Sequence, residues 1–160
     1  DVVSVDREEA VSGVSSVMCD FAAEDIPLED SSVDIVFSKS VIEHFYVREL
    51  PHIMSEVKRV LRPGGACIAL TPDWESNQRQ FYQIFTHVTP YTTSSMAQFL
   101  KMYGFDNVRS ETVMQLPSTW NSPMMKTLGD ITQRLPLPRS AGKWVRWSKE
   151  RLVVGVGFKF

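Results

Sequence analysis

Polar side chains that can bind a ligand follow several short apolar runs of this chain. Asp6 ends the run over residues 2–5, Asp20 ends the next one, and Ser38 and Lys39 follow a third. Because open α/β sheets bind ligands outside the carboxyl ends of their strands, these four side chains are candidate ligand contacts. The alternatives are a solvated acid for Asp6, an Asx turn for Asp20 and an ordinary loop for Ser38 and Lys39.

His44, four residues after the polar break that ends at Ser40, is the candidate catalytic residue. A neutral imidazole is suited to removing a proton from a hydroxyl or an amine. Neither His52 nor His87 has a metal-ligand spacing with His44. The sequence therefore predicts no metal site.

The elements that must position these residues are clearest between residues 32 and 70. Val33–Phe37 is an apolar run typical of a buried strand, and Ala66–Leu70 is a second. Between them, apolar residues recur at three- and four-residue steps over Leu50–Leu61, which predicts an amphipathic helix that ends in a turn at Pro63-Gly64-Gly65. Two such strands joined by one helix form a right-handed β-α-β unit with parallel strands.

The carboxyl-terminal half contains a second clear helix and two further strands. Thr92 or Thr93 can cap this helix at its start, and Gly104 can end it. Asn107–Met114 and Arg151–Phe160 predict the last two strands. Residues 116–150 lie between them and are predicted to contain a short helix near residues 124–135.

Composition limits the class of protein. The chain has 160 residues, of which 43% are hydrophobic, so we expect a single domain over residues 1–160 with a sizeable core. A net charge of −2 does not indicate a nucleic-acid partner. No apolar run is long enough to span a membrane. Cys19 and Cys67 lie in apolar runs, which predicts buried free thiols in a reducing, cytoplasmic compartment.

One basic, aromatic segment departs from this picture. Residues 143–149 read KWVRWSK, a composition that can contact anionic lipid or RNA. A solvated, charged turn is the simpler interpretation of so short a segment.

Three segments together resemble the class I S-adenosylmethionine-dependent methyltransferases, in their small-molecule branch. They read IPLEDSSVD at residues 26–34, SKSVIEH at 38–44 and RVLRPGG at 59–65, in the family's order and at suitable spacing. Val33 replaces the family's usual aromatic residue and Arg62 its usual lysine. The resemblance implies an α/β fold with a Rossmann-like, doubly wound, mostly parallel sheet and an antiparallel carboxyl-terminal strand.

The resemblance also implies S-adenosylmethionine as the cofactor and a small molecule as the methyl acceptor. In the family, the acid at the position of Asp6 binds the ribose hydroxyls, and the acid at the position of Asp20 receives the adenine amino group. Phe21 would then lie near the adenine ring, although it can equally be a core residue. Ser38 and Lys39 would contact the amino-acid half of the cofactor or the acceptor.

On the acceptor side, the resemblance implies that His44 borders the methyl-transfer pocket. The sulfonium of S-adenosylmethionine already activates the methyl group, so catalysis depends mainly on aligning the acceptor atom with that methyl. We therefore expect His44 to shape the pocket first and to act as a base second. Residues 116–150 resemble the insertions that cover the acceptor pocket in this family. Trp120, Met124 and Met125 would be its acceptor-side residues, with ordinary core packing as the alternative.

The family's glycine-rich loop, which binds the methionine half of the cofactor, is not found in this sequence. Gly13 stands alone, and Gly64-Gly65 follows the wrong strand. By this resemblance the chain begins at the second strand of the sheet, without the first. We expect a fragment of a longer methyltransferase, which the start at Asp1 favours. The alternatives are a relative that closes its sheet differently and a non-catalytic binding or scaffold module without cofactor.

Overall fold

A computed structural model describes residues 2–7 and 15–160 of the chain. Its strands are β1 (Val3–Asp6), β2 (Ser15–Met18), β3 (Val33–Lys39), β4 (Leu61–Pro72), β5 (Asp106–Met114) and β6 (Arg151–Phe158). Its α-helices are α1 (Leu50–Val60), α2 (Trp74–Phe81), α3 (Thr93–Met102), α4 (Pro123–Arg134) and α5 (Lys143–Lys149). Gly13 lies outside the described residues.

The strands form two sheets. β1 and β2 pair in parallel, and the other four lie in the order β3-β4-β6-β5. β3 is parallel to β4, while β6 is antiparallel to both of its neighbours, so β3, β4 and β5 run in one direction and β6 runs against them. The predicted Rossmann-like fold with a reversed carboxyl-terminal strand is therefore confirmed. Within the described ranges, no strand joins the two sheets.

The predicted β-α-β unit is confirmed as β3-α1-β4. Helix α1 buries its apolar stripe and has Pro51 in its first turn, where proline costs no hydrogen bond. The turn predicted at Pro63-Gly64-Gly65 is not observed. These residues belong to β4, where the pairing with β3 is irregular. Gly64 has a φ of 80°, which a residue with a side chain adopts only with strain, and this lets the strand begin directly at Leu61.

Helices α1 and α3 pack on the same core. This core joins Ile53, Met54 and Val57 of α1 to Met96 and Leu100 of α3, over the inner face of β4 and β6. A Cβ at Gly155 of β6 would lie 2.5 Å from Cγ of Met96, so the missing side chain lets α3 approach the strand.

The start of α3 and the two cysteines agree with the sequence. Of the two predicted caps, Thr92 is the one observed: its side chain accepts a hydrogen bond from the Ser95 backbone, in a capping box that was not predicted. Gly104 follows the helix with a φ of 73°. Cys19 and Cys67 are buried free thiols.

Strand β3 is less covered than its composition predicts. The Ile35 side chain is 58% exposed and that of Phe37 is 61% exposed. Val36 packs against the core formed with α1 and α3, as does Val33 before the irregularity in the pairing with β4. Successive side chains of a strand point to opposite faces, so Ile35 and Phe37 lie on the face opposite Val36, which is exposed.

Three further helices complete the structure. Helix α2 begins at Trp74, where the Asp73 carboxylate accepts a hydrogen bond from the Ser76 backbone at 3.0 Å and caps it. The basic, aromatic segment over residues 143–149 is helix α5 and not a turn, since it packs against α4. Helix α4 confirms the short helix predicted near residues 124–135. None of the helices in the described part of the chain has the length and hydropathy to cross a membrane.

Candidate functional site

Asp6 and Asp20 lie at neighbouring strand ends. β1 and β2 are parallel and in register from Val3 to Asp6, and the Cys19 N–H donates to the Asp6 carbonyl at 2.9 Å. The Arg7 backbone N–H donates to the Asp6 carboxylate at 2.7 Å. Two carboxylates therefore lie at the carboxyl ends of the strands of this small sheet. Asp6 is exposed and Asp20 is half-buried.

Sequence reasoning missed the partner of Asp20. The guanidinium of Arg7 donates two hydrogen bonds to the Asp20 carboxylate, and the Ala22 N–H donates a third at 3.1 Å. The Arg7 guanidinium therefore holds the pKa of Asp20 below its ordinary value. A donor from a ligand must share this carboxylate with Arg7 or displace it.

Phe21, which follows the end of β2, contacts the segment that carries His44. Its half-buried ring meets the edge of the Phe45 ring, with centroids 6.4 Å apart. Phe45 directly follows the short 3₁₀ turn Ile42–His44 that comes after β3. The candidate adenine-side residue and the candidate catalytic residue are thus positioned by contacting segments.

A buried ion pair fixes the loop between β2 and β3. The Glu56 carboxylate on α1 accepts the Ile26 N–H at 2.8 Å and two hydrogen bonds from Arg59, at 2.9 and 2.8 Å. Arg59 also donates to the carbonyls of Ile26 and Leu28 and to the Asp30 carboxylate. Arg59 lowers the pKa of Glu56, and together they anchor the loop that begins with Asp20 and Phe21.

A cleft of about 380 Å³ lies at the carboxyl ends of β3 and β4. Lys39 and His44 line it, whereas Asp6, Asp20, Phe21 and Ser38 do not. Its other lining residues are Ser40, Pro72, Asn77, Gln80, Phe81, Ile84, His87, Gln115, Arg139, Glu150, Arg151 and Leu152. The structure thus brings two of the predicted residues together in one cleft and places the others on adjoining segments.

His44 lies on the wall of this cleft, half-buried. Its Nδ1 is 3.2 Å from the Thr86 carbonyl, and its ring is 4.8 Å from that of His87. The two histidines are far apart in the sequence, so spacing gave no reason to connect them. They meet because the loop after α2 brings His87 back to the turn after β3. That loop is held by the Val88 and Thr89 N–H groups, which donate to the Glu43 carbonyl at 2.9 and 3.1 Å.

Glu43 is a further residue that sequence reasoning missed. Its side chain is fully buried, and its Oε1 is 4.0 Å from Nε2 of His87. Burial raises the pKa of Glu43, and the nearby Thr71 hydroxyl opposes this shift without reaching hydrogen-bonding geometry. Burial likewise lowers the pKa of His87. The only sequence signal for this cluster was an acid directly before His44.

The segment 116–150 reaches the cleft through Arg139 and Glu150. The predicted acceptor-side residues of this segment do not line it: Trp120 is 58% exposed and Met124 is 75% exposed, and Met125 lies on α4 away from the lining. A second, open groove of about 540 Å³ lies beside α5, lined by Arg139, Ser140, Gly142, Lys143, Arg146 and Trp147. None of the candidate residues at the strand ends lines this groove, so we place the site at the first cleft.

Comparison with known proteins agrees with the fold. A family profile described as a methyltransferase domain matches residues 2–69. The malonyl-[acyl-carrier protein] O-methyltransferase of Methylococcus capsulatus is 34% identical over 94 residues, which cover 54% of this chain and 33% of that protein. A sterol 4-C-methyltransferase of Caenorhabditis elegans is 30% identical over 67 residues, 39% of this chain and 20% of that protein. The chain spans a third or less of the length of these two relatives.

Solved structures extend the likeness to nearly the whole chain. An S-adenosylmethionine-dependent methyltransferase from Archaeoglobus fulgidus superposes with a TM-score of 0.67 at 16% identity, over 98% of this chain and 75% of that one. The 1,6-didemethyltoxoflavin-N1-methyltransferase of Burkholderia thailandensis gives a TM-score of 0.61 at 13% identity, over 99% and 61%. These structures show the fold, and the profile and relatives show the sequence kinship. Residues 2–69 therefore match the methyltransferase-domain family, and the chain has the fold of the class I S-adenosylmethionine-dependent methyltransferases, whose cofactor is S-adenosylmethionine.

Proposed function

We propose that the protein carrying this chain transfers a methyl group from S-adenosylmethionine to a small-molecule acceptor. The observation that supports this most is the placement of Asp6 and Asp20 side by side at the carboxyl ends of parallel strands. Carboxylates there can accept hydrogen bonds from hydroxyl and amino groups of an adenosine. Phe21 follows directly and offers an aromatic face or edge to the base.

In this proposal, the described residues bind and orient the two reactants. Asp6 accepts from the ribose, Asp20 from the adenine amino group, and Ser38 and Lys39 contact the amino-acid half of the cofactor or the acceptor. S-adenosylmethionine, when bound, supplies a methyl group that is already activated by the sulfonium. The protein's main contribution is then alignment of the acceptor atom with that methyl.

His44 is the proposed acceptor-side residue. It lines the cleft next to Lys39, so it can shape the space that an acceptor occupies. With its Nδ1 directed to the Thr86 carbonyl, its Nε2 is the nitrogen that can receive a proton from a hydroxyl or amine. The two named relatives act on different acceptors, an acyl-carrier-bound malonyl group and a sterol, so they do not fix the acceptor class; a cleft of about 380 Å³ supports the small-molecule acceptor proposed here.

Calorimetry with S-adenosylhomocysteine tests the proposal on the complete protein. Asp6→Ala and Asp20→Ala each remove an acceptor for a ligand hydrogen bond, and each should weaken binding by about 5- to 150-fold. Asp34→Ala is the matched control, because Asp34 is an exposed acid that pairs with Arg62 near the start of β3, away from its carboxyl end. Unchanged affinity in both Asp6 and Asp20 variants would overturn the assignment. Absence of any binding to the complete protein would favour a non-catalytic module instead.

A further inference from the structure

Three potential metal ligands converge at the wall of the cleft. Glu43, His44 and His87 each offer one ligand atom, and these atoms lie within 4.8 Å of one another. The two segments that carry them are joined by the Val88 and Thr89 N–H groups on the Glu43 carbonyl. The Thr89 hydroxyl adds a hydrogen bond to the Phe45 carbonyl at 2.6 Å. The donor groups are therefore held near one another by the backbone, without any ligand.

Glu43 is the strongest indication that something is bound here. Its side chain is 0% exposed, and neither carboxylate oxygen meets hydrogen-bonding geometry with a described residue, although its own backbone N–H and the Thr71 and Ser40 hydroxyls lie near it. A buried carboxylate without a partner is costly, so the group must either take up a proton or meet a cation. His87 Nε2, at 4.0 Å from Oε1, is too far away to satisfy it by a hydrogen bond.

The His44 imidazole is oriented as a metal ligand usually is. Nδ1 of His44 lies 3.2 Å from the Thr86 carbonyl, so an N–H there leaves Nε2 with a free lone pair. Metal-binding histidines commonly anchor their second nitrogen on a carbonyl in this way. His87 is 5% exposed, and its Nδ1 has no hydrogen-bond partner in the described part of the chain. Two imidazole nitrogens and one carboxylate suit first-row divalent cations better than Mg²⁺ or Ca²⁺.

We propose that Glu43, His44 and His87 bind a first-row divalent cation of the Zn²⁺ type. Ligand bonds of about 2.0–2.2 Å would require the donor atoms to close in by about 1 Å, which side-chain rotation can supply. Because His44 and His87 line the cleft, the remaining coordination positions face it. The inference rests on these contacts alone; with a cation on Nε2, His44 would shape the acceptor space and would not act as a base.

The positive charges around the cleft do not prevent such binding. Arg151 lines the cleft but pairs with Asp130. Arg139 donates to the Asn77 side-chain oxygen at 3.1 Å, and Lys39 is exposed to solvent, which screens its charge. Glu150 also lines the cleft and pairs with Arg146 at 3.2 Å.

Metal titration of the complete protein tests this site. Protein without a polyhistidine tag is treated with a chelator, dialysed, and titrated with Zn²⁺ by calorimetry and with Co²⁺ by visible absorption. We expect a single site per chain with micromolar or tighter affinity for Zn²⁺. Glu43→Gln and His87→Gln should each weaken it by at least about 100-fold, since both remove a ligand. His52→Gln is the matched control, because His52 contacts the Glu24 carbonyl outside the cluster and should leave the affinity unchanged.

Two results would overturn the proposal. One is the absence of a stoichiometric Zn²⁺ or Co²⁺ site in the complete protein, which would mean that Glu43 is a buried carboxylic acid. The other is equal binding by the wild type, Glu43→Gln and His87→Gln, which would indicate adventitious binding elsewhere. Should those variants fail to fold, half-buried His44 provides the second test: Zn²⁺ should raise the melting temperature of the wild type but not that of His44→Gln. No shift in the wild type would also contradict the site.

Discussion

Replacing Glu56 by glutamine should destabilise the protein because this carboxylate anchors the loop that carries Asp20 and Phe21. Oε2 accepts the Ile26 N–H and one Arg59 N–H, both at 2.8 Å, and Oε1 accepts the Arg59 Nε–H at 2.9 Å. A glutamine can keep its oxygen at the place of Oε2. Its amide nitrogen must then face the Arg59 Nε–H, donor against donor.

The expected loss follows from these three bonds. Hydrogen bonds to charged groups contribute about 1.5–3 kcal/mol each, and neutral ones about 1 kcal/mol. Glu56→Gln loses one charged bond and weakens two, but the Arg59 side chain is 28% exposed and water recovers part of the loss. We expect a decrease in the free energy of unfolding of about 2 kcal/mol at pH 7.

The stability that Glu56 contributes should depend on pH. The pKa of Glu56 is lowered in the folded state, chiefly by the Arg59 hydrogen bonds, from an ordinary value of 4.5. A lowered carboxyl pKa contributes stability above the unfolded-state pKa, and this contribution is lost as the pH falls through the folded-state pKa. The difference between the wild type and Glu56→Gln should therefore be full at pH 7 and shrink progressively below about pH 4.5.

Urea unfolding followed by tryptophan fluorescence measures both effects, since the chain has 4 tryptophans. Asp34→Asn is the matched control, because it makes the same carboxylate-to-amide change in a pair with Arg62 whose side chains are 49% and 70% exposed. That exposed pair should contribute less than about 1 kcal/mol. Equal losses in the two variants, or a Glu56→Gln loss that does not shrink in acid, would refute the reasoning.

Two further predictions concern the cleft and helix α3. His44→Gln in the complete enzyme should mainly raise the Michaelis constant for the acceptor; a fall in turnover of about 10²–10⁴-fold, measured by steady-state kinetics, would make His44 a base instead. Thr92→Ala removes the capping box formed with Ser95 and should lower the free energy of unfolding by about 1 kcal/mol, whereas Thr93→Ala, within the first turn, should have a smaller effect in the same urea assay.

The sequence predicted those elements of the fold whose residue pattern alone determines how they pack or where they begin. The spacing over Leu50–Leu61 identified α1, because a periodic apolar stripe on a helix needs a core to bury it. Thr92 marked the start of α3 for an equally local reason. The exposure of Ile35 and Phe37 was not predictable, since an apolar strand shows that burial is favourable but not which neighbours are present to supply it.

The candidate site was predictable only where a residue's role depends on its own strand. Asp6, Asp20 and Lys39 were identified from their positions at strand ends. The contacts of Glu43 with His87 and of Asp20 with Arg7 were not, because they depend on how separate loops fold back. Spacing along the chain gave no metal-ligand pattern for His44 and His87, yet the loop after α2 brings their ring centroids to 4.8 Å.

A crystal structure of the complete protein with S-adenosylhomocysteine would show directly whether these residues bind the cofactor. We predict the ribose at the Asp6 carboxylate, the adenine amino group at Asp20 with the ring beside Phe21, and the homocysteine end directed toward Ser38 and Lys39. S-adenosylhomocysteine bound away from the carboxyl ends of β1, β2 and β3 would contradict it.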